Sequence, residues 1–289
     1  MGLLTSPLTS PAGRRRRSTV VRRRTLLGLP AALPLAALVG CAGGPEEVPP
    51  VPSDASGPET FRYGTDGSQY GELTTPGGTP RGVAVVVHGG FWQAQYGIEY
   101  AQPLVPSLVE QGWATWAVEY RRVGNGGGVP ETLDDLTAAL ALLDELPLGV
   151  DPSTVPVVGI GHSAGGHLVT WAGAGGVLTH VVSQAGVLDL VAADAAGLGG
   201  GAVEAFVGDA PLDAAVDPIQ QVPLDVPVWC VHGDADPIVP LSQSEAYVAA
   251  ATAAGATAEL VTVPGDHFAV IDPDAPAWAR TLEILDGIG

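Results

Sequence analysis

Lysine is absent from this sequence, and arginine gathers at one end of it. Seven of the 12 basic residues (Arg14, Arg15, Arg16, Arg17, Arg22, Arg23 and Arg24) fall within the first 24 positions, a stretch without an acid. The other five arginines face 31 acidic residues, a balance of −26 beyond that leader. Phosphate recognition needs clustered cations, so nucleic acid is excluded as an expected partner, and electrostatic adsorption to anionic lipid with it. Cysteine is nearly absent as well. Cys41 and Cys230 alone supply neither a disulfide framework nor the paired thiols of a structural zinc site. No apolar run reaches the ~18–20 residues of a membrane span. The glycine run at Gly124, Gly126, Gly127 and Gly128 lacks the Lys-Ser/Thr that a phosphate-binding loop requires. Neither a metal nor an organic cofactor is expected.

At the N-terminus, Arg22-Arg23-Arg24-Thr25-Leu26-Leu27 runs straight into an apolar stretch over residues 26–40, which carries two prolines. That stretch is short for a span and suited to a signal core. It ends in Leu38-Val39-Gly40-Cys41, which resembles the bacterial lipobox, and the paired arginines before x-L-L resemble the twin-arginine signal. These resemblances imply a signal peptide over residues 1–40 and lipidation at Cys41. They also imply export, with acyl chains rather than a helix holding the chain to the outer face of the bacterial cytoplasmic membrane. An uncleaved anchor is the alternative. Residues 41–59 are rich in proline without apolar periodicity and read as a tether, leaving one domain over residues 60–289. Cys230, inside Val228-Trp229-Cys230-Val231, reads as a packed core thiol.

Within that domain, residues 61–64 and 69–73 flank Thr65-Asp66-Gly67-Ser68 and predict a β-hairpin. Strands are expected over residues 83–87, 113–120, 155–160, 180–183, 226–231 and 258–263. Helices are expected over 98–111, 130–146, 164–172, 241–254 and 275–288. Apolar strands alternating with helices predict an α/β fold, a mostly parallel sheet covered on both faces. Between residues 186 and 223 the pattern weakens around Leu198-Gly199-Gly200-Gly201. This is where a cap or lid insertion would sit, unless it is a surface excursion with no substrate role.

The strand over 155–160 leads into Gly161-His162-Ser163-Ala164-Gly165, followed at once by the helix over 164–172. This is the form of a nucleophile elbow, a strained turn that exposes a serine hydroxyl above a sheet. Side chains at 161 and 165 would collide with the flanking strand and helix. With 40 glycines in 289 residues, roughly 0.2 matches to G-x-S-x-G are expected by chance, so the surroundings must decide. An acyl-transfer serine needs a base and a carboxylate to orient it. His267 follows the last strand and is the candidate base. His162 and His167 flank the serine too closely to fold back onto it and are expected at the cleft wall or on the helix surface; His180 is expected to be structural. The strand over 226–231 ends near Asp234 and Asp236, either of which could be the acid. The order Ser, Asp, His then matches successive strand ends. An oxyanion hole needs aimed N–H groups. The turn His88-Gly89-Gly90-Phe91-Trp92 can expose some, and Ala164 supplies another.

His88-Gly89-Gly90-Phe91-Trp92 together with Gly161-His162-Ser163-Ala164-Gly165-Gly166-His167-Leu168 resembles the H-G-G-x-W branch of the α/β-hydrolases. That branch includes kynurenine formamidase-like enzymes and small carboxylesterases related to feruloyl esterases. The run His232-Gly233-Asp234-Ala235-Asp236-Pro237-Ile238-Val239-Pro240 is similar to the H-G-x-x-D-x-x-V-P stretch of the prolyl oligopeptidase catalytic domain. The resemblance implies the α/β-hydrolase fold, with Ser163 as nucleophile, Asp236 as acid and His267 as base. It implies Gly90 and Phe91 as oxyanion donors, and His88 and Trp92 as shapers of the turn. Trp92 and His162 are candidates for the substrate pocket, and Asp234 is the reserve acid. A serine hydrolase of small carboxylic esters is the expectation, with aryl esters or N-formyl amides next. The alternatives are an amidase or small peptidase with the same residues, and a non-catalytic binding protein on the same fold.

Overall fold

A computed structural model describes residues 57–289. The expected signal peptide, the Cys41 lipidation site and the tether up to Ser56 lie outside the described residues. Among the described residues, no helix is long and apolar enough to cross a membrane.

Eight strands form one sheet: β1 (Glu59–Arg62), β2 (Tyr70–Thr74), β3 (Gly82–Val87), β4 (Trp113–Val118), β5 (Val157–His162), β6 (His180–Gln184), β7 (Val228–Gly233) and β8 (Ala258–Val263). Their spatial order is β1-β2-β4-β3-β5-β6-β7-β8. The expected hairpin is the antiparallel β1–β2 pair, β2 meets β4 antiparallel, and every later pairing is parallel. This is the α/β-hydrolase fold. Its central strands β3, β4 and β5 are buried on both faces, which explains why β3 and β4 read as continuous apolar runs.

The alternation of side chains divides the core in two. Val83, Val85 and Val87 face one side and share its core with Leu136 and Leu140 of α2 (Glu131–Ala141), Leu168 of α3 (Ala164–Ala172) and Tyr247 of α6 (Ser242–Ala253). Ala84 and Val86 face the other, covered by Leu108 of α1 (Val105–Glu110) and by Trp278 and Leu285 of α7 (Pro276–Asp286).

Two expectations change. The helix expected over residues 98–111 is two 3-10 turns, Ile98–Tyr100 and Gln102–Leu104, followed by the six-residue α1. Pro103 and Pro106 each lie at the start of a short element. Proline lacks the N–H that a continuous helix would need there, so it opens new turns instead. The weakly patterned stretch 186–223 also differs from a loose excursion. It forms α4 (Leu190–Ala195) and α5 (Ala202–Val207), and Leu188, Leu190, Val203, Phe206 and Val216 join the core that covers α2 and α3. Its main chain is tied in too, since the Val129 N–H donates to the Phe206 carbonyl (2.9 Å).

Candidate active site

The carboxyl ends of β3, β5, β7 and β8 converge on one cavity of about 100 Å³, in which Ser163, His162 and His267 meet the turn Gly89-Gly90-Phe91. Each side chain is placed by its own local structure.

Ser163 links β5 to α3 with φ 55° and ψ −117°, a strained conformation for a residue with a Cβ. Close packing holds it there. A Cβ on Gly161 would run into the Gly165 carbonyl, and one on Gly165 into the carbonyls of Val87 and His88. The expected collisions at these two glycines are therefore present. The Ser163 N–H donates to the Gln184 carbonyl (2.8 Å), which fastens the elbow to β6. Although Ser163 occupies the N-cap of α3, its side chain accepts no capping bond, so the hydroxyl is uncommitted.

Asp236 and His267 are joined through their loops. The Asp234 N–H donates to the Val263 carbonyl (2.9 Å) and the Ala235 N–H to the Gly265 carbonyl (3.0 Å), so the chain after β7 runs against the chain after β8. A side chain at Gly233 would block that approach, its Cβ lying 2.5 Å from the Gly265 carbonyl oxygen. Asp266 then caps the turn after β8 by accepting the Phe268 N–H (3.0 Å) and the Ala269 N–H (3.1 Å). As a result His267 Nδ1–H donates to Asp236 Oδ2 at 2.7 Å. The Asp236 side chain is fully buried and also accepts the Ile238 and Val239 N–H groups (2.8 and 2.9 Å), while His232 Nε2 lies 3.3 Å from Oδ2. Burial alone would raise its pKa, but the bonds from His232, His267 and the Ile238 N–H outweigh it and hold the carboxyl well below the usual range. Asp234 accepts the Gly265 N–H instead (3.2 Å). The two aspartates, open as alternatives in the sequence, thus divide into an imidazole partner and a turn partner.

With Nδ1 protonated toward Asp236, the other ring nitrogen of His267 is the free lone pair. Ser163 and His267 line the same cavity, and no hydrogen bond joins Ser163 Oγ to the imidazole in this structure. Such bonds are commonly long in resting sites and tighten with substrate.

The oxyanion turn is equally strained. Gly90, Phe91 and Trp92 have φ of 113°, 52° and 54°, and no partner among the described residues takes the N–H of Gly90, Phe91 or Ala164. Ala164 opens α3, where first-turn N–H groups have no intrahelical acceptor and the helix end is electropositive.

The flanking residues divide differently from expectation. His162 does line the cavity, and its Nε2–H donates to the main-chain carbonyl of His267 (2.9 Å). Burial and the neighbouring His267 push its pKa down to about 3, so it stays neutral. Trp92, expected at the pocket, is fully buried behind the turn, with its ring stacked on Phe206 at 4.5 Å. His167, expected at the cleft wall or helix surface, is also fully buried, and its Nε2–H donates to the Val216 carbonyl (2.8 Å). Both residues lie on the inward side of their elements, which spacing from the serine does not reveal. His180 pairs with Thr179 Oγ1 (2.8 Å) and stacks on Trp229, away from the site.

Two groups were not expected from sequence. Tyr96, Tyr100 and Phe268 complete the cavity wall with Ile238. Glu119 and Arg122 form a buried ion pair (2.6 Å) behind the oxyanion turn. The signal for that pair was the scarcity of cations: Arg122 is one of only five arginines beyond the leader, and it sits just past a core strand.

A profile of the prolyl oligopeptidase family matches residues 116–285, more than half of the chain. The chain belongs to the prolyl oligopeptidase family. The family member is 32% identical over 231 residues to the esterase LipQ of Mycobacterium tuberculosis, covering 71% of this chain and 53% of that protein. It thus spans about half the length of the relative it matches. Among solved structures, it is similar to Thermogutta terrifontis esterase 2 phosphoramylated by tabun (24% identity, TM-score 0.65, 83% of this chain and 94% of that one). It is also similar to a truncated carbohydrate esterase from gut microbiota (20% identity, TM-score 0.67, 82% of this chain and 99% of that one). At these identities the structural likeness establishes the shared α/β-hydrolase fold.

Proposed function

We propose that this family member is a serine hydrolase that cleaves small carboxylic esters through an acyl-enzyme. The observation that carries the reading is the 2.7 Å bond from His267 to buried Asp236 beside the strained Ser163 elbow. His267 Nε2 takes the Ser163 proton as Oγ attacks the substrate carbonyl. The Gly90, Phe91 and Ala164 N–H groups receive the charge that develops on the carbonyl oxygen. His267 then protonates the departing alcohol oxygen, and water repeats the sequence to release the acid. Asp236 holds the imidazole tautomer and stabilises the imidazolium. The small cavity, walled by Phe91, Tyr96, Tyr100 and Phe268, favours short acyl groups. The esterase names carried by LipQ and by the Thermogutta enzyme support the choice of ester over amide.

Export and lipid anchoring at Cys41 are part of the same proposal and rest on the leader sequence. Two experiments test it. Purified Ser163→Ala should turn over no p-nitrophenyl acetate or butyrate and take up no fluorophosphonate probe. A panel of matched esters and amides then separates esterase from amidase. Retained labelling of the variant would overturn the nucleophile. In cell fractions, Cys41→Ser should move the protein out of the membrane pellet, and an unchanged pellet would overturn the anchor.

A further inference from the structure

Behind the oxyanion turn lies a cluster that plays no direct part in the proton relay. Glu119 follows β4 and is 5% exposed, as is Arg122, while His88 is 1% exposed. One Glu119 carboxylate gathers five groups. Oε1 accepts the Tyr120 N–H (2.9 Å), pairs with Arg122 Nη1 (2.6 Å) and lies 3.2 Å from His88 Nε2. Oε2 accepts the Ile98 N–H (2.9 Å) and packs against Gly97, where a Cβ would lie 2.8 Å away. Arg122 Nη1 also donates to the Tyr96 carbonyl. The Tyr120 hydroxyl donates to the His88 carbonyl (2.8 Å), and its ring stacks on the His88 imidazole at 4.4 Å. A main-chain bridge completes the attachment: the Val123 N–H donates to the Trp92 carbonyl (2.8 Å) and the Ala94 N–H to the Val123 carbonyl (3.0 Å).

These bonds span the two ends of one loop. His88 and Trp92 bracket the turn that carries Gly90 and Phe91, while Tyr96 lines the cavity wall and Ile98 anchors the chain two residues beyond it in the core. Phe91 and Trp92 hold left-handed conformations that non-glycine residues adopt only when their surroundings dictate it. A buried charge with several donors is costly to disturb and fixes geometry closely.

We propose that Glu119, with Arg122, is the positioning residue of the oxyanion hole: its carboxylate ties His88 to Ile98 and so aims the Gly90 and Phe91 N–H groups at the reacting oxygen. The inference rests on the esterase reading and deepens it. The role is one of alignment, with no contact to substrate. Loss of the carboxylate therefore penalises the transition state, where the oxygen is charged, and leaves ground-state binding in the aromatic-walled cavity in place.

The test compares wild type, Glu119→Gln, Arg122→Lys and Asp135→Asn. Asp135 is the control because it is buried too and binds, through Arg121, the segment after β4 that carries Glu119 and Arg122, but outside the cluster. With p-nitrophenyl acetate, Glu119→Gln should lose about 10- to 100-fold in kcat while KM stays within about twofold. Its affinity for a trifluoromethyl ketone, whose adduct carries an oxyanion, should fall in the same proportion. Arg122→Lys keeps the charge but cannot reach both Glu119 and Tyr96, and it should show a smaller loss of the same kind. Should Glu119→Gln not fold, Arg122→Lys carries the test alone. Asp135→Asn should lower the melting temperature with kcat retained. Wild-type kcat in folded Glu119→Gln, or in Arg122→Lys where it stands alone, would overturn the proposal. An equal kcat loss in Asp135→Asn would do the same. A wild-type chain that neither hydrolyses the ester nor takes a fluorophosphonate probe would overturn the esterase reading itself, a result distinct from either.

Discussion

His162 Nε2–H donates to the main-chain carbonyl of His267 at 2.9 Å, and the two rings lie 4.5 Å apart. The residue immediately before the proposed nucleophile therefore fixes the backbone of the proposed base, although 105 positions separate them. His162→Ala should free that loop and lower kcat/KM by about tenfold, with Ser163 still labelled by fluorophosphonate at a slower rate. Because burial keeps His162 neutral, with its pKa near 3, the acidic limb of the wild-type pH–rate profile should belong to another group. Steady-state kinetics from pH 5 to 9 checks both points.

The two aspartates after β7 should separate sharply. Asp236→Asn loses the charge opposite the imidazolium, and a drop in kcat of about 10³- to 10⁴-fold is expected. Asp234→Asn removes only the charge on the acceptor of the Gly265 N–H, a bond the amide oxygen can still take, and should cost less than about threefold in kcat, in keeping with the small effect of a peripheral hydrogen bond. The reverse ranking in matched kinetic assays would transfer the acid to Asp234.

Asp236 should also leave a mark on stability. Its folded pKa is depressed, so its contribution is present above the ordinary aspartate value near ~3.9 and is lost as pH falls through the folded value. The melting-temperature gap between wild type and Asp236→Asn should then be widest near neutral pH and narrow steadily below about pH 4. Thermal unfolding across that range measures it, and a gap independent of pH would contradict the assigned ionisation.

Cys230 offers a check on the packing of β7. Burial pushes its thiol up to about 12, so almost no thiolate exists at pH 8. Iodoacetamide should leave the Cys230 peptide unmodified in native protein and alkylate it fully in denaturant, as read by peptide mass mapping.

At the elbow, Gly161→Ala places a methyl group against the Gly165 carbonyl. Backbone cannot yield there as a flexible side chain would, and the expected cost is at least about 2 kcal/mol, or roughly 5 °C in melting temperature. Calorimetry on the Ser163→Ala background would isolate the packing effect from any change in reactivity.

Much of this site was legible because it is built at strand ends. α3 and β8 occupy the residues that spacing assigned to them, and the Ser163, Asp236 and His267 positions follow from the ends of β5, β7 and β8. The hydrophobic period fixes such elements wherever both faces are buried. It fails where proline resets the chain, as at Pro103 and Pro106. It is silent on which side of a turn a large residue takes, which is why Trp92 was expected at the pocket and His167 at the cleft wall or helix surface. The Glu119–Arg122 pair left no periodic trace, since its partners beyond Tyr120 come from the earlier loop after β3.

The stack of Phe206 on Trp92 has a consequence for access. Phe206 belongs to the 186–223 segment, so that segment props the Phe91 turn from behind and lends no residue to the cavity wall. An incoming molecule meets instead the rim where Tyr100 and Phe268 reach solvent.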